Sequence, residues 1–299
     1  MTAIDQAQAH NLLLQSRKRQ LLKRRILSES LGIIGWLLPD VMKRVLSRMS
    51  PKMGYLYFGE PEMIIQDYCE DISMYIDVRN NTERQMLTGK YDLAILNLIQ
   101  KEVSDKMVCL DIGANVGALT LPLARQVGPQ GQVLAFEPGL SFFERLKKNL
   151  QINPKLKGRV SLFQIGLSYE PGTLQWSEDP EFPGNAWLLG KSGIEVPVNR
   201  LDSVLEPLNL HRLDLIKIDV EGMEWEVFKG AEATLKKFHP KIIFESTLEF
   251  EIIRNQPVRK QALEFLESLN YKVQGIDSKG NLVAQTYPNL QPNSFANPA

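Results

Sequence analysis

The stretch from Met107 to Pro138, MVCLDIGANVGALTLPLARQVGPQGQVLAFEP, limits this chain more than any other. Met107–Ile112 is a short apolar run of the kind a fully buried parallel strand shows. Gly113 and Gly117 bracket a tight turn, where glycine reaches dihedrals and close approaches that a Cβ forbids. Val116 to Val127 spaces its apolar residues as a helix does, and Gly128-Pro129 ends that helix. Val133–Phe136 is a second strand, and Glu137 stands at its carboxyl end, twenty residues after Gly117. Strand, glycine loop, helix and strand make a βαβ unit. An acid closing its second strand can take both ribose hydroxyls of a nucleoside.

The loop spacing narrows the guest. A dinucleotide site needs G-x-G-x-x-G so that backbone can approach a pyrophosphate. Here the loop reads D-x-G-x-x-x-G, with Asn115 where the second glycine would stand. Asp111 lies just ahead of the turn, where its negative charge would repel phosphate and favour an ammonium or sulfonium group. S-Adenosylmethionine is a nucleoside carrying both cations and no phosphate, and is the expected cofactor. A nicotinamide cofactor is disfavoured by Asp111 and Asn115.

The remaining composition is permissive. A chain of 299 residues holds one large domain or two small ones. An apolar share of 43% is ample for a core, and zero net charge gives no reason to expect nucleic acid. Cys69 and Cys109 fit no metal or disulfide spacing, so a reducing, cytoplasmic setting is expected. No run approaches the ~20 apolar residues of a membrane span.

Residues 1–50 differ from the rest. Nine Lys and Arg against three acids give them +6, which residues 51–299 balance with −6. Leu12–Leu27 and Leu31–Val45 read as helices. The segment is expected either to pack on the domain or a second copy as a homodimer, or to lie on an anionic membrane. In the second case RKRQLLKRR is the basic face and LGIIGWLL the insert. A polar start and the lack of a small-residue cleavage site argue against a signal peptide.

Tyr55–Phe58, Met63–Asp67 and Ile72–Val78 predict a small antiparallel layer, and Glu83 to Gln100 a single helix. After Glu137 come a helix over 141–151 and a strand over 160–167. Strand pieces at 172–176 and 194–198 flank a Gly-, Pro- and Trp-bearing loop, 177–193; Trp176 and Trp187 could stack on an acceptor ring but read as core. Asp202 is placed to cap a short helix. Leu213–Asp219, then Lys241–Phe244 with Glu245 at its end, supply the fourth and fifth parallel strands. Tyr271–Ile276 and Asn281–Gln285 form a hairpin, and the Asn/Pro-rich tail from Thr286 is expected to be disordered. The pattern predicts an α/β, doubly wound, mostly parallel Rossmann-like sheet with an antiparallel edge, spanning 51–285.

Ligands of such sheets bind beyond the carboxyl ends of the strands. Asp111, Glu137, Asp219, Glu221 and Glu245 lie there, whereas His211 and His239 precede their strands on the opposite rim. A histidine base is therefore not expected. Asp219 and Glu221, spaced D-x-E, fall on one side if the strand continues, and either could take a proton from an acceptor hydroxyl. Lys217 shares the face of Asp219 inside a buried strand and needs a partner. It either pairs with Asp219 or Glu245, or orients Asp219 and holds a substrate oxygen. Asp219 or Glu221 could instead ligate a divalent cation, but few further ligands are identifiable, so no metal is expected.

These residues resemble the FkbM-like family of S-adenosylmethionine-dependent methyltransferases from about Ile72 to about Ser246. The resemblance rests on LDIGANVG at 110–117, AFEP at 135–138, VPVNRLDSVL at 196–205, DLIKIDVEGMEWEVFKGA at 214–231 and IIFES at 242–246. It implies a class I methyltransferase fold and O-methylation of a small-molecule hydroxyl on a sugar, polyketide or other natural product. Asp111, Gly113, Ala114, Asn115, Gly117, Glu137, Pro138 and Gly166 would hold the cofactor. Asp219 and Glu221 would line the methyl-transfer site with Lys217 and Glu245. Leu119 departs from the family, whose members often carry an aromatic residue there. Alternatives are a carboxylate or peptide acceptor, or a nucleoside-binding protein without catalysis.

Overall fold

The computed structural model describes residues 62–77, 80–87, 89, 91–178, 186–187 and 193–299. The basic segment 1–50, the run 55–58 and the side chain of Trp187 lie outside the described residues, so the readings placed on them stay expectations. Among the described residues no helix is long and apolar enough to cross a membrane.

Strands β1 (Glu62–Tyr68) and β2 (Ile72–Asp77) pair antiparallel, as their alternation predicts. The single helix expected over 83–100 is instead two, α1 (Asn81–Leu87) and α2 (Leu93–Glu102). Gly89 at φ +66° and Asp92 at φ +38° adopt left-handed backbone between them, which a continuous helix cannot contain. The βαβ unit follows as β3 (Val108–Ile112), α3 (Thr120–Gln126) and β4 (Gln132–Phe136). Next come α4 (Leu140–Gln151), α5 (Pro154–Lys157) and β5 (Val160–Phe163). A second layer holds β6 (Gly166–Leu167), β7 (Gly172–Glu178), β8 (Ala186–Trp187) and β9 (Ile194–Asn199), ordered β6-β9-β7-β8.

The chain then runs through α6 (Leu201–Leu205), β10 (Leu215–Ile218), α7 (Glu224–Gly230), α8 (Glu232–Phe238) and β11 (Lys241–Glu245). It continues as α9 (Leu248–Arg254), α10 (Val258–Ser268), β12 (Tyr271–Ile276), β13 (Leu282–Val283) and β14 (Asn293–Pro298). The main sheet has the order β13-β12-β14-β11-β10-β3-β4-β5. Strands β11 to β5 in that order are parallel, and β14 runs antiparallel to both β11 and β12. The expected α/β class and mostly parallel sheet are therefore observed.

Burial explains why these strands read as unbroken apolar runs. Leu110, Leu134, Ile216 and Ile242 face one core, while Cys109, Val133, Leu215 and Ile243 face the other, so both faces are covered. Helix α4 buries Phe142, Leu146 and Leu150 against the second of these. Its Asn149 carboxamide accepts from Tyr75 N at 2.6 Å and donates to Val116 O at 2.8 Å, tying the β1–β2 hairpin to the segment after the glycine turn.

Two further expectations are corrected. The tail from Thr286 is not all disordered: β14 sits inside the sheet with Ser294, Phe295 and Ala296 buried. Asn and Pro give it weak strand propensity, but neighbours on both sides satisfy its backbone, and tertiary context wins. Asp202 lies in the first turn of α6 yet caps α8. Its carboxylate accepts from Ala233 N (3.1 Å), Thr234 N (2.8 Å) and Thr234 Oγ1 (2.7 Å).

Candidate active site

The turn after β3 is shaped by contact with the end of β10. Gly113 and Ala114 N–H groups donate to Phe136 O at 3.0 and 2.9 Å, drawing the turn onto β4. Gly113 has φ +79°, and a Cβ there would lie 1.9 Å from the carbonyl oxygen of Asp219. Only glycine fits. Asn115 is also left-handed at φ +51°, a conformation asparagine tolerates better than most residues. Its N–H thereby reaches Glu137 Oε2 at 2.8 Å, and Gly139 N donates to Oε1 at 2.8 Å. Glu137 is 3% exposed and held by one backbone donor on each oxygen. Burial pushes its carboxyl up to about 7, against the downward pull of those two N–H groups.

Lys217 and Asp111 are paired in register across β10 and β3. Lys217 Nζ lies 3.2 Å from Asp111 Oδ1 and 3.6 Å from Asp219 Oδ2, and donates to Gly113 O at 2.9 Å. Thr120 Oγ1 donates to Asp111 Oδ2 at 2.5 Å. Burial pulls the Lys217 ammonium down, but the charges of Asp111 and Asp219 outweigh it and hold the group above its usual range. Of the partners expected for Lys217, Asp219 is found, and the other is Asp111 rather than Glu245.

A cavity of about 390 Å³ opens over the carboxyl ends of these strands. Gly113, Ala114, Asn115, Glu137, Pro138 and Gly166 line one side, and Lys217, Asp219, Glu221 and Glu245 the other. Two expected cofactor residues are not among its lining. Asp111 is 0% exposed and neutralised by Lys217, so its charge cannot select against phosphate across the turn. Gly117, at φ +92°, packs instead: a Cβ there would stand 2.6 Å from Leu146 Cδ1 and 2.8 Å from Leu121 Cδ1. Trp176 is buried edge-on to Phe142, as expected of core, and also forms part of the cavity wall.

The D-x-E spacing works differently from expectation. Strand β10 stops at Ile218, and Glu221 (φ +54°) and Gly222 (φ +92°) turn left-handed. Buried Glu224 pins that turn, accepting from Val220 N at 3.2 Å and Gly222 N at 3.3 Å. Asp219 remains 37% exposed toward the cavity. Glu245 accepts from Thr247 Oγ1 at 2.6 Å through Oε1, while its buried Oε2 has no hydrogen-bond partner. Burial, with the charges of Asp219, Glu224 and Glu221, raises the Glu245 carboxyl far above the usual carboxylate range.

Five polar lining residues had no place among the expected site residues. Thr82, Gln85, Tyr91 and Asp92 come from the helix pair ahead of the βαβ unit, and Asn293 from β14 joins them. Gly89 inside a helical pattern, with Asp92 ahead of Leu93, was the available signal for the first group. Burial and the charge of Asp219 lift the Asp92 carboxyl to about 6. Among the described residues, no three His, Cys, Asp or Glu side chains come together as a metal-ligand set.

A family model for the methyltransferase FkbM domain matches residues 111–273, more than half of the chain. The chain belongs to the FkbM methyltransferase family. It is 34% identical over 156 residues to the methyltransferase sdnD of Sordaria araneosa, covering 41% of this chain and 60% of that one. It is 27% identical over 158 residues to the hexuronic acid methyltransferase AglP of Haloferax volcanii, covering 52% and 62%. With the 2-O-methyltransferase NoeI of Sinorhizobium fredii it shares 26% over 199 residues, covering 60% and 78%. The chain spans about three fifths of the length of the first of these curated relatives. Within the FkbM segment fall the glycine turn, Glu137, Asp219 and Glu245; Tyr91, Asp92 and Asn293 fall outside it.

Proposed function

We propose that this protein binds S-adenosylmethionine in the cavity and transfers its methyl group to a hydroxyl of a small molecule. The observation that carries the reading is Glu137. Two backbone N–H groups fix its carboxylate at the end of β4, and each oxygen keeps a lone pair for one ribose hydroxyl. The described lining also fits a cation, with Asp92, Glu137, Asp219 and Glu221 facing one base, Lys217, whose charge Asp111 and Asp219 neutralise. Bound there, S-adenosylmethionine would supply an electrophilic methyl on a cationic sulfur that leaves as a neutral thioether.

The chain's own residues do the rest. Glu137 takes the ribose hydroxyls, with Ala114, Asn115, Pro138 and Gly166 around it. Lys217 is a positioning residue: it joins Asp111, the Gly113 carbonyl and Asp219 into one rigid unit. Asp219 receives the proton of the acceptor hydroxyl at its exposed carboxylate, while Glu221 helps enclose the same space. Alignment of the acceptor oxygen supplies most of the rate, since a sulfonium is already a good leaving group. An oxygen-directed reaction is supported by the family and by a relative named as a 2-O-methyltransferase.

Isothermal titration of the purified chain with S-adenosylmethionine and S-adenosylhomocysteine tests the cofactor. Dissociation constants below ~1 mM are expected; absence of binding to both overturns the reading. Asp219→Asn is expected to keep cofactor binding and lose turnover. Retained turnover in that variant removes Asp219 from the mechanism, and a wild-type chain that binds the cofactor yet turns over no hydroxyl of a panel favours a non-catalytic nucleoside sensor.

A further inference from the structure

Strand register sorts the cavity into two ends. Ile218 is paired with Phe244, so Asp219 and Glu245 are the next residues of adjacent parallel strands, and Glu245 is paired on its other side with Asn293. Asp219, Glu245 and Asn293 therefore form one row along the rim. Glu137 closes β4, three strands from β11, roughly 14 Å away at about 4.8 Å per strand. A nucleoside seated on Glu137 leaves this row for the acceptor.

Among the described residues, the cations near Glu245 are paired with other acids. Lys217 serves Asp111 and Asp219. Arg259 of α10, which meets Glu245 across a small cavity of about 10 Å³, pairs with Glu251 at 2.9 Å and donates to the carbonyls of Ser246 and Pro288, with its Nε left without a partner. Arg254 of α9 pairs with Glu226 and the Gly222 carbonyl. The groups left to face Glu245 are the acids Asp219 and Glu221 after β10 and Glu224 of α7, with the Thr247 hydroxyl on Oε1. Among the described residues, an additional buried negative charge there would face more acids than bases.

The geometry points to Glu245 as a neutral carboxylic acid that donates a hydrogen bond from its unpartnered oxygen to an oxygen of the acceptor, which is an uncharged molecule with a second oxygen beside the hydroxyl that is methylated. This rests on the methyl-transfer reading above and names its substrate class. The proton stays on Glu245 throughout; the proton that leaves the acceptor hydroxyl goes to Asp219 as the new O–CH₃ bond forms and the S–CH₃ bond breaks. An acceptor carboxylate would meet Asp219 and Glu221, with no free cation in the described lining to receive it. The acceptor thus differs in charge from that in the name of the hexuronic acid methyltransferase relative.

Two measurements on the full chain test this. Infrared difference spectra of ¹³C-Glu-labelled wild type against Glu245→Gln, with S-adenosylhomocysteine and without, are expected to show a protonated-carboxyl carbonyl band at pH 7.5 that the variant lacks. A difference confined to carboxylate bands overturns the proposal, whether or not the cofactor binds. Failure of S-adenosylhomocysteine to bind, with the carbonyl band present, instead removes the methyl-transfer reading. The second uses methyl glucopyranoside and methyl glucopyranosiduronate as probes, titrated into the S-adenosylhomocysteine complex. The glucoside is expected to bind at least tenfold tighter. Glu245→Leu should weaken it roughly three- to tenfold, the worth of one hydrogen bond, and Glu245→Gln should restore most of that loss. Equal or tighter binding of the uronate, binding of neither probe, or identical behaviour of the Leu and Gln variants overturns the assignment.

Discussion

The two ends of the cavity are built on opposite principles. At the Glu137 end a carboxylate is held by two backbone N–H groups, and the glycine turn beside it is packed until no Cβ fits. At the Glu245 end acids crowd together, one oxygen lacks a partner, and the wall is completed by Asn293 from a distant stretch of chain. The first end is satisfied by the protein itself and offers spare lone pairs in a fixed place. The second leaves an oxygen that no group among the described residues satisfies. A family that keeps one cofactor and changes acceptors needs this division, with rigidity where the shared molecule sits and unmet polarity where the variable one does.

The sharpest way to break the contrast is to unbalance the unit that joins the two ends. Lys217→Met strands Asp111 as an uncompensated buried charge, and a loss of about 3–5 kcal/mol in denaturant unfolding is expected. Adding Asp111→Asn should recover much of it; no recovery would mean that Lys217 acts through packing. Next comes Glu137→Gln, which removes a charged acceptor of two hydroxyls. S-Adenosylhomocysteine affinity is expected to fall at least about 30-fold by calorimetry, roughly 2 kcal/mol or more, while Glu245→Gln leaves it within about twofold.

Acidity provides a milder test. The free protein holds a proton on Glu137 below about 7, and the ionised form is the better acceptor for ribose hydroxyls. Cofactor affinity should therefore rise as pH increases from 6 to 8, by at most about tenfold per unit, with proton release detected in buffers of different ionisation enthalpy. A flat profile would place the ribose elsewhere. The smallest effect concerns stability. Glu245 is raised above its unfolded value near 4.5, so its contribution is complete below that value and is lost as pH rises toward the folded one. Glu245→Gln should thus unfold at a temperature a few degrees above wild type at pH 8 and about equal to it at pH 5.

Much of the nucleoside end could be read from the chain alone, because it is local. The apolar run of β3, the glycine turn and Glu137 lie within one βαβ unit, where periodicity and spacing carry three-dimensional meaning. What escaped was set by pairing between distant segments. Asp111 looked like a gatekeeper because nothing in LDIGANVG reveals that Lys217 is its lateral neighbour. Tyr91 and Asp92 reach the cavity only because α1 and α2 break at left-handed positions inside what reads as one helix. The segment 293–298 gave no strand signal, since its conformation is imposed by β11 and β12 rather than by its own residues.

That imposed strand has a consequence for biosynthesis. Because β14 slots between β11 and β12, a nascent chain can dock β3, β4, β5, β10 and β11 on the ribosome, yet the sheet keeps a gap until residue 298 has cleared the exit tunnel. Until then the edges of β11 and β12 lie bare, and the rim that Asn293 completes does not exist. The nucleoside half of the cleft is thus complete once β11 has docked, whereas the acceptor half waits for a strand drawn from further along the chain.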